Sequence, residues 1–419
     1  MAESQSRTTY RDVFAVGEFR ALFAAHLLSV VGDQFARVAL AVLVYQRTGS
    51  PALTALTYAL TFLPDLVARP LLAGLADRFP RRRVMVLTDL GRAGLVAAMA
   101  VPGLPLPWLF VLLVAVQVLA APFDAARSAT LPVVFGSTRE RRDDRYVVAS
   151  TVSDMVYQAA QVLGFAGAGL LLVGVNPSGA LLVDAVTFLV SAAVIRAWVV
   201  DRPSAAADGD GGLRAWGRRI AAGARTTWSD RDQRFLLALL CVPMFPVVVE
   251  GLAVPYADQL RVPAAALGLL FAAEPCGALV GMLLVTRLEP ARRLRLITPL
   301  AVVSCAVLVV CAARPGLWGS VAVFAASGLA SAYFSPAAAR FVESTPDEQR
   351  GLASGLANAV VRATQGLGVV AGGVLALVVA PSTVIAVAGV VGAVFAWVVG
   401  RSWVRAAAGG GAETPAGDA

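Results

Sequence analysis

Three stretches of the chain, Ala93 to Phe123, Met155 to Val183 and Ala363 to Gly400, contain no charged residue. Each exceeds the roughly 20 apolar residues that a helix needs to cross about 30 Å of hydrocarbon. Each also holds a Pro or Gly turn, such as Val101-Pro102-Gly103-Leu104-Pro105. They read as helical hairpins whose connecting turns reach the far side of a bilayer uncharged. Composition points the same way, because 58% hydrophobic and 15% charged residues is too oily for a water-soluble chain of 419 residues. All 35 basic residues are arginines, and the formal charge is +8. They stand in short clusters between apolar runs, with no aromatic-rich basic domain, so the lipid bilayer and not a nucleic acid is the expected partner.

Apolar runs and their punctuation place helices over 19–45, 51–73, 84–101, 107–134, 146–173 and 177–200, then over 233–255, 262–286, 296–313, 317–342, 351–379 and 382–402. The fold class is therefore an all-α membrane protein of twelve spans in two six-helix bundles. The loops joining odd to even spans carry only Arg47, Arg261 and Arg314, while the remaining loop arginines fall on the other side, so both termini are expected in the cytoplasm. The first run, from near Phe19, carries Asp33 and lacks a small-residue cleavage site, and it reads as a retained helix. The domain plan is a cytoplasmic segment 1–18, a bundle 19–200, a linker 201–232, a second bundle 233–403 and a tail 404–419. Within the linker, Leu213, Trp216, Ile220, Ala224 and Trp228 share one helical face, which reads as an interfacial helix or as a solvated connector with chance periodicity. Cys241, Cys276, Cys305 and Cys311 lie inside apolar stretches and read as small packing residues.

The halves resemble each other. At an offset of 204, Ala149, Ser150, Val156, Ala159, Gln161, Leu163, Gly164, Gly169 and Leu171 recur as Ala353, Ser354, Val360, Ala363, Gln365, Leu367, Gly368, Gly373 and Leu375. At an offset of 210, Pro80, Arg82, Arg83, Thr88 and Leu90 recur as Pro290, Arg292, Arg293, Thr298 and Leu300. Parallel repeats fit halves that rock about a central site. The glycines Gly164, Gly167, Gly169, Gly368, Gly372 and Gly373 are expected to let helix backbones approach closely.

A charge at the bilayer centre costs at least about 2.5 to 3.5 kcal/mol on insertion scales, so such groups face a cavity, pair, or carry protons. The acidic candidates for a proton or substrate role are Asp33, Asp154, Asp184, Glu250 and Glu274, and the basic ones are Arg127 and Arg362. Asp33 and Glu250 lead. Asp154 also reads as a helix-end charge, Asp184 as a cap or bridge, and the two arginines as structural partners of Asp33, Asp154 or Glu250. Asp65, Arg69, Asp89 and Arg92 flank the loop after the second span and read as part of a cytoplasmic gating network. His26 reads as a packing or interfacial residue.

The segment Gly74-Leu75-Ala76-Asp77-Arg78-Phe79-Pro80-Arg81-Arg82-Arg83 resembles the signature between helices two and three of the major facilitator superfamily. It departs from the common pattern at Ala73 and Pro80, where Gly is usual. The resemblance implies that Gly74, Asp77, Arg78, Arg81 and Arg82, with Asp89 and Arg92, hold the cytoplasmic side shut until the state changes. Ser29-Val30-Val31-Gly32-Asp33-Gln34, Asp184-Ala185-Val186-Thr187-Phe188-Leu189-Val190-Ser191-Ala192 and Val254-Pro255-Tyr256-Ala257 look like the branch of that superfamily holding macrolide-efflux and siderophore exporters. Phe165 stands where proton-coupled antiporters usually have Pro in a glycine-rich fifth helix.

The expected function is a secondary transporter in the plasma (inner) membrane that drives efflux of amphipathic small molecules by antiport, with no cofactor and a proton gradient as energy source. Gln117, Gln158, Gln161 and Gln365 are expected among the cavity-lining side chains. Import by symport and a non-transporting membrane sensor are the alternatives. No Walker loop, GxSxG elbow or HExxH motif occurs, so an enzyme is not expected. The chain is expected to act as a monomer on a small-molecule substrate.

Overall fold

The computed structural model describes residues 14–72, 78–134, 157–171, 174–202, 228, 230–263, 266–345 and 350–409. These residues are helical, with no strand among them. Eight of the described helical stretches are long and apolar enough to cross a membrane: Gly17–Thr48, Leu106–Leu131, Pro177–Trp198, Arg231–Gln259, Leu267–Thr286, Pro290–Ala313, Gly316–Glu343 and Pro381–Trp403. The chain is a multi-pass membrane protein.

In chain order the helices are α1 (Gly17–Thr48), α2 (Pro51–Ala59), α3 (Asp65–Leu72), α4 (Arg81–Met99), α5 (Leu106–Val134), α6 (157–171), α7 (Pro177–Trp198) and α8 (Arg231–Leu240). They continue as α9 (Val248–Gln259), α10 (Leu267–Thr286), α11 (Pro290–Ala306), α12 (Gly316–Ser331), α13 (Phe334–Glu343), α14 (Arg350–Leu375) and α15 (Pro381–Gly409). Prolines break spans that the hydropathy pattern reads as continuous. The expected 51–73 helix is interrupted by turns over residues 60–64, because Pro64 has no N–H to continue the ladder. Its carbonyl instead starts α3, accepting from the amides of Val67 and Ala68 at 3.1 and 2.8 Å. Pro243 and Pro246 likewise split the 233–255 span into α8, a short 3₁₀ turn over Val242–Met244, and α9.

Helix starts follow ordinary capping chemistry. Ser50 Oγ accepts from the Leu53 amide at 3.3 Å ahead of α2, and Asn176 Oδ1 accepts from the Gly179 amide at 2.8 Å ahead of α7, each with Pro in the first turn. The turn between α1 and α2 needs Gly49 for its backbone, at φ 60°, and that between α4 and α5 needs Gly103, at φ 79°.

Contacts divide the chain into two compact units, one of Met1–Leu43 with Pro64–Gly209 and one of Val44–Leu63 with Asp210–Ala419. Residues 44–63, which the hydropathy reading groups with the first bundle, pack in the second unit. In the first unit, Leu22, Ala25, Met85, Phe123, Ala126 and Ile195 form an apolar core shared by α1, α4, α5 and α7. Arginines in the first turn of α4 close off the ends of neighbouring helices. Arg81 Nη1 donates to the Ala129 carbonyl at 2.7 Å, in the last part of α5, and Arg82 Nη1 to the Val199 carbonyl at 3.3 Å, just past α7. Both place positive charge at the negative ends of helix dipoles. Glu18 accepts from Arg202 Nη1 and Nη2 at 2.5 and 2.7 Å, tying the residues after α7 to the start of α1.

The second unit packs through small residues. A Cβ at Gly277 or Gly281 of α10 would strike the Ala325 or Leu329 carbonyl of α12, and one at Gly328 of α12 would strike the Glu274 carbonyl of α10. The two backbones are therefore in direct contact. On its other side, Gly373 of α14 lies against Ala52 and Ala55 of α2, and Gly251 of α9 lies against Val369. Tyr45 Oη donates to Asp258 Oδ2 at 2.9 Å, and Gln259 exchanges two hydrogen bonds with Ser382 at 2.9 and 3.0 Å.

A buried charge cluster as candidate functional site

Spacing on three helices of the first unit places polar groups on facing sides. Ser29 and Asp33 lie four apart on α1, Asp89 and Arg92 three apart on α4, and Asp184, Phe188 and Ser191 follow a helical stripe on α7. Where these stripes meet, Arg92 Nη2 donates to both oxygens of Asp33, at 2.9 and 3.0 Å. Arg92 Nη1 lies 3.4 Å from Ser29 Oγ and 3.8 Å from Asp89 Oδ1. Ser191 Oγ donates to Asp89 Oδ2 at 2.6 Å. The Phe188 ring covers the guanidinium, 4.0 Å from Cζ to the ring centroid. Arg92 and Asp89 are 4% and 0% exposed at their side chains, whereas Asp33 keeps 24%, so Asp33 is the most accessible of the three. Asp184, 1% exposed, is the third carboxyl acting on Arg92. Asp124 acts on Arg92 from α5, and His26 is influenced by Asp124, Arg127 and Arg92.

The chemistry follows from inventory. A guanidinium keeps its proton under any physiological condition, so protons exchanged here are exchanged by carboxyl groups. With one arginine facing Asp33, Asp89 and Asp184, the cluster has more acid than base and can take up a proton or a cationic group.

The second unit holds a separate, small pocket. Glu250 of α9 and Glu274 of α10 line it together with Phe271, Phe324 and Ser327. Ser327 Oγ donates to the Ser304 carbonyl at 2.6 Å, which fixes the hydroxyl. Carboxylates beside aromatic faces suit a positively charged group.

The structure thus brings Asp33 and Asp184 near one arginine, Arg92, which bonds to Asp33 alone, and places Glu250 and Glu274 on one pocket. Asp89 and Arg92, read as part of the gating loop, stand inside the bundle with Asp33, because α4 begins at Arg81 and carries them two and three turns away from the loop. Arg78 is exposed, and Arg81 and Arg82 bind helix ends. Arg362 lies over the Phe62 ring at 5.7 Å. Gly74, Asp77 and Asp154 lie outside the described residues. Of the expected packing glycines, Gly164 meets Gln34 and the Val31 carbonyl, Gly167 meets Phe35, Gly368 meets the Met244 carbonyl, Gly372 meets Val248, and Gly169 is buried. Gln117, Gln158, Gln161 and Gln365 are half-buried. Ser191 and Phe188 complete the cluster and were not singled out individually from the sequence. The signal that marks them is their register with Asp184 on one face of α7.

Helices of membrane-crossing length around a buried, acid-rich charge cluster make this a polytopic membrane protein with a charged interior site. The chain belongs to the Major Facilitator Superfamily, whose family model matches residues 22–314 and 251–417. Two relatives from Bacillus subtilis (strain 168) are described as uncharacterised MFS-type transporters. YkuC is 25% identical over 188 residues, covering 44% of this chain and 42% of the relative, and YfiS is 27% identical over 177 residues, covering 42% and 40%. The chain therefore aligns with less than half the length of these curated relatives. Solved structures share the fold at low identity. A POT family transporter in complex with a thioalcohol-conjugated peptide superposes with a TM-score of 0.74 at 10% identity, covering 92% of this chain and 96% of that one. A variant of the nucleoside transporter NupG gives 0.68 at 11%, covering 92% and 99%. A bacterial homologue of the human lysosomal transporter Spinster, inward-facing and unoccupied, gives 0.67 at 15%, covering 95% and 99%.

Proposed function

We propose that this chain is a proton-coupled secondary transporter that exports amphipathic small molecules of drug, macrolide or siderophore type across the plasma (inner) membrane by alternating access. The observation that carries the reading is the buried Asp33–Arg92–Asp89 cluster, which joins α1 to α4 inside an apolar bundle and has more acid than its one arginine neutralises. Acid in excess of its arginine inside hydrocarbon is costly, and a transporter that loads and unloads protons has a use for it in each cycle. The Glu250–Glu274 pocket, with Phe271 and Phe324, is the place in the second unit where the positively charged end of a substrate would sit. Both termini in the cytoplasm, twelve spans and a monomeric unit complete the reading, on the arginine distribution and the internal repeat.

The test uses inverted membrane vesicles with an acid interior. Adding ethidium or erythromycin is expected to release protons from the lumen, seen as recovery of a quenched pH dye, and Asp33→Asn or Glu250→Gln is expected to abolish the response. Full coupling in both variants would overturn the assignment of these residues. Proton movement in the same direction as the substrate would replace export with symport.

A further inference from the structure

Asp184 is the most enclosed acid of the cluster that lacks a bonded cation. Its side chain is 1% exposed. Oδ1 accepts from Thr187 Oγ1 at 3.2 Å, while the same hydroxyl lies 2.7 Å from the Asp184 carbonyl. Oδ2 has no hydrogen-bond partner among the described residues. The carboxyl is pressed against the backbone of α1: a Cβ at Gly32 would overlap both Asp184 Oδ1 and Thr187 Oγ1. Gly32 immediately precedes Asp33, so Asp184 meets α1 one residue away from Asp33, to which Arg92 is committed.

The charged neighbours are few. Asp33 approaches Asp184 from α1, and Asp89 and Arg92 approach from α4. Asp124 also acts on Arg92 from α5, and His26 of α1 is influenced by Arg127, Asp124 and Arg92. Arg92 gives two hydrogen bonds to Asp33 and none to Asp184. A fully buried carboxylate with one bare oxygen and no bonded cation is the arrangement that folded proteins avoid by protonating the acid.

We propose that Asp184 is the proton-carrying group of the first unit, held as the neutral acid in this state, and that Arg92 moves from Asp33 to Asp184 when that proton leaves. The proton passes from Oδ2 to water and leaves a carboxylate. Arg92 stays protonated throughout and supplies the compensating charge. Asp33, no longer clamped, presents a free carboxylate to a cationic substrate or to the next proton. The path for the guanidinium is short, because Arg92 already rests on the ring of Phe188, one turn along the helix that carries Asp184. Gly32 is a positioning residue, since any side chain there would push Asp184 away from α1.

This inference deepens the proton-coupled reading and rests on it, but its test needs no substrate. Infrared spectra of the purified full-length protein in liposomes are recorded across pH. Wild type is expected to show the carbonyl stretch of a protonated carboxylic acid, lost as pH rises. Asp184→Asn should lose that band, Asp33→Asn should keep it, and Thr187→Val should shift its frequency by removing the hydroxyl donor while leaving the acid in place. The Thr187→Val shift carries the test if Asp184→Asn does not fold. An acid absorption undiminished in Asp184→Asn, one unmoved by Thr187→Val, or no acid band in folded wild type overturns the assignment. If the band behaves as expected but vesicles show no substrate-linked proton movement, proton-coupled transport fails and the Asp184 assignment stands. If coupling is present and the band ignores Asp184, only the assignment fails.

Discussion

Replacing Arg92 with leucine is expected to be among the most destabilising single changes in the first unit, costing about 3 to 5 kcal/mol, because it leaves buried acids without their cation. The geometry behind the figure is specific. Arg92 is 4% exposed at its side chain, gives two hydrogen bonds to Asp33, and stands 3.8 Å from the fully buried Asp89. Leucine fills part of the space beneath the Phe188 ring but offers no donor to either carboxyl. Thermal unfolding of the purified protein in detergent reads the loss as a lower midpoint. The double variant Asp33→Asn with Arg92→Leu should recover part of it, since one of the stranded acids is then neutral. An Arg92→Leu protein as stable as wild type would show that the cluster does not hold α1 to α4.

Gly328→Leu is expected to have the second large effect, about 3 kcal/mol or somewhat more, at the upper end of what overpacking costs. Its added atoms meet the carbonyl of Glu274 and the Ala278 amide, which are backbone and cannot rotate aside. To admit them α12 must move away from α10, taking with it Phe324 and Ser327 and opening the pocket that Glu250 and Glu274 share. The variant should therefore unfold at lower temperature and also lose substrate-linked proton movement. Unchanged stability would mean that the two helices are not in backbone contact.

Helical, membrane-spanning character was legible from the sequence because hydropathy is a local property, and charge-free hairpins state it without reference to packing. Helix continuity was less legible. Pro64, Pro243 and Pro246 interrupt apolar runs whose mean hydropathy does not register a missing amide. The site was legible in its acids, since Asp33, Asp184, Glu250 and Glu274 stand out against hydrocarbon wherever they point. Their partners were harder. Asp89 and Arg92 follow Arg81, Arg82 and Arg83 closely in the chain and so read as members of the same loop network, yet two to three turns of α4 carry them into the bundle. Which of Arg92, Arg127 and Arg362 meets Asp33 depends on helix rotation, and periodicity cannot decide it when the helices are apolar on every face. Ser191 was hidden for the opposite reason: a serine in an apolar helix is cheap, and only its 2.6 Å bond to Asp89 marks it as part of the cluster. Gly164, Gly167, Gly368, Gly372 and Gly373, read as packing residues, lie against neighbouring segments, and Gly32, which lies in a quoted motif, turns out to set the distance between Asp184 and α1.

Proton-driven export is read directly as accumulation by purified protein in sealed liposomes, with an imposed pH gradient and no nucleotide. Proton-coupled export predicts that ethidium or a labelled macrolide concentrates in the acidic compartment, that collapse of the gradient with a protonophore ends it, and that Asp33→Asn never starts it. Accumulation that survives collapse of the gradient, or that is equal in Asp33→Asn, would show that transport is not driven by protons through Asp33.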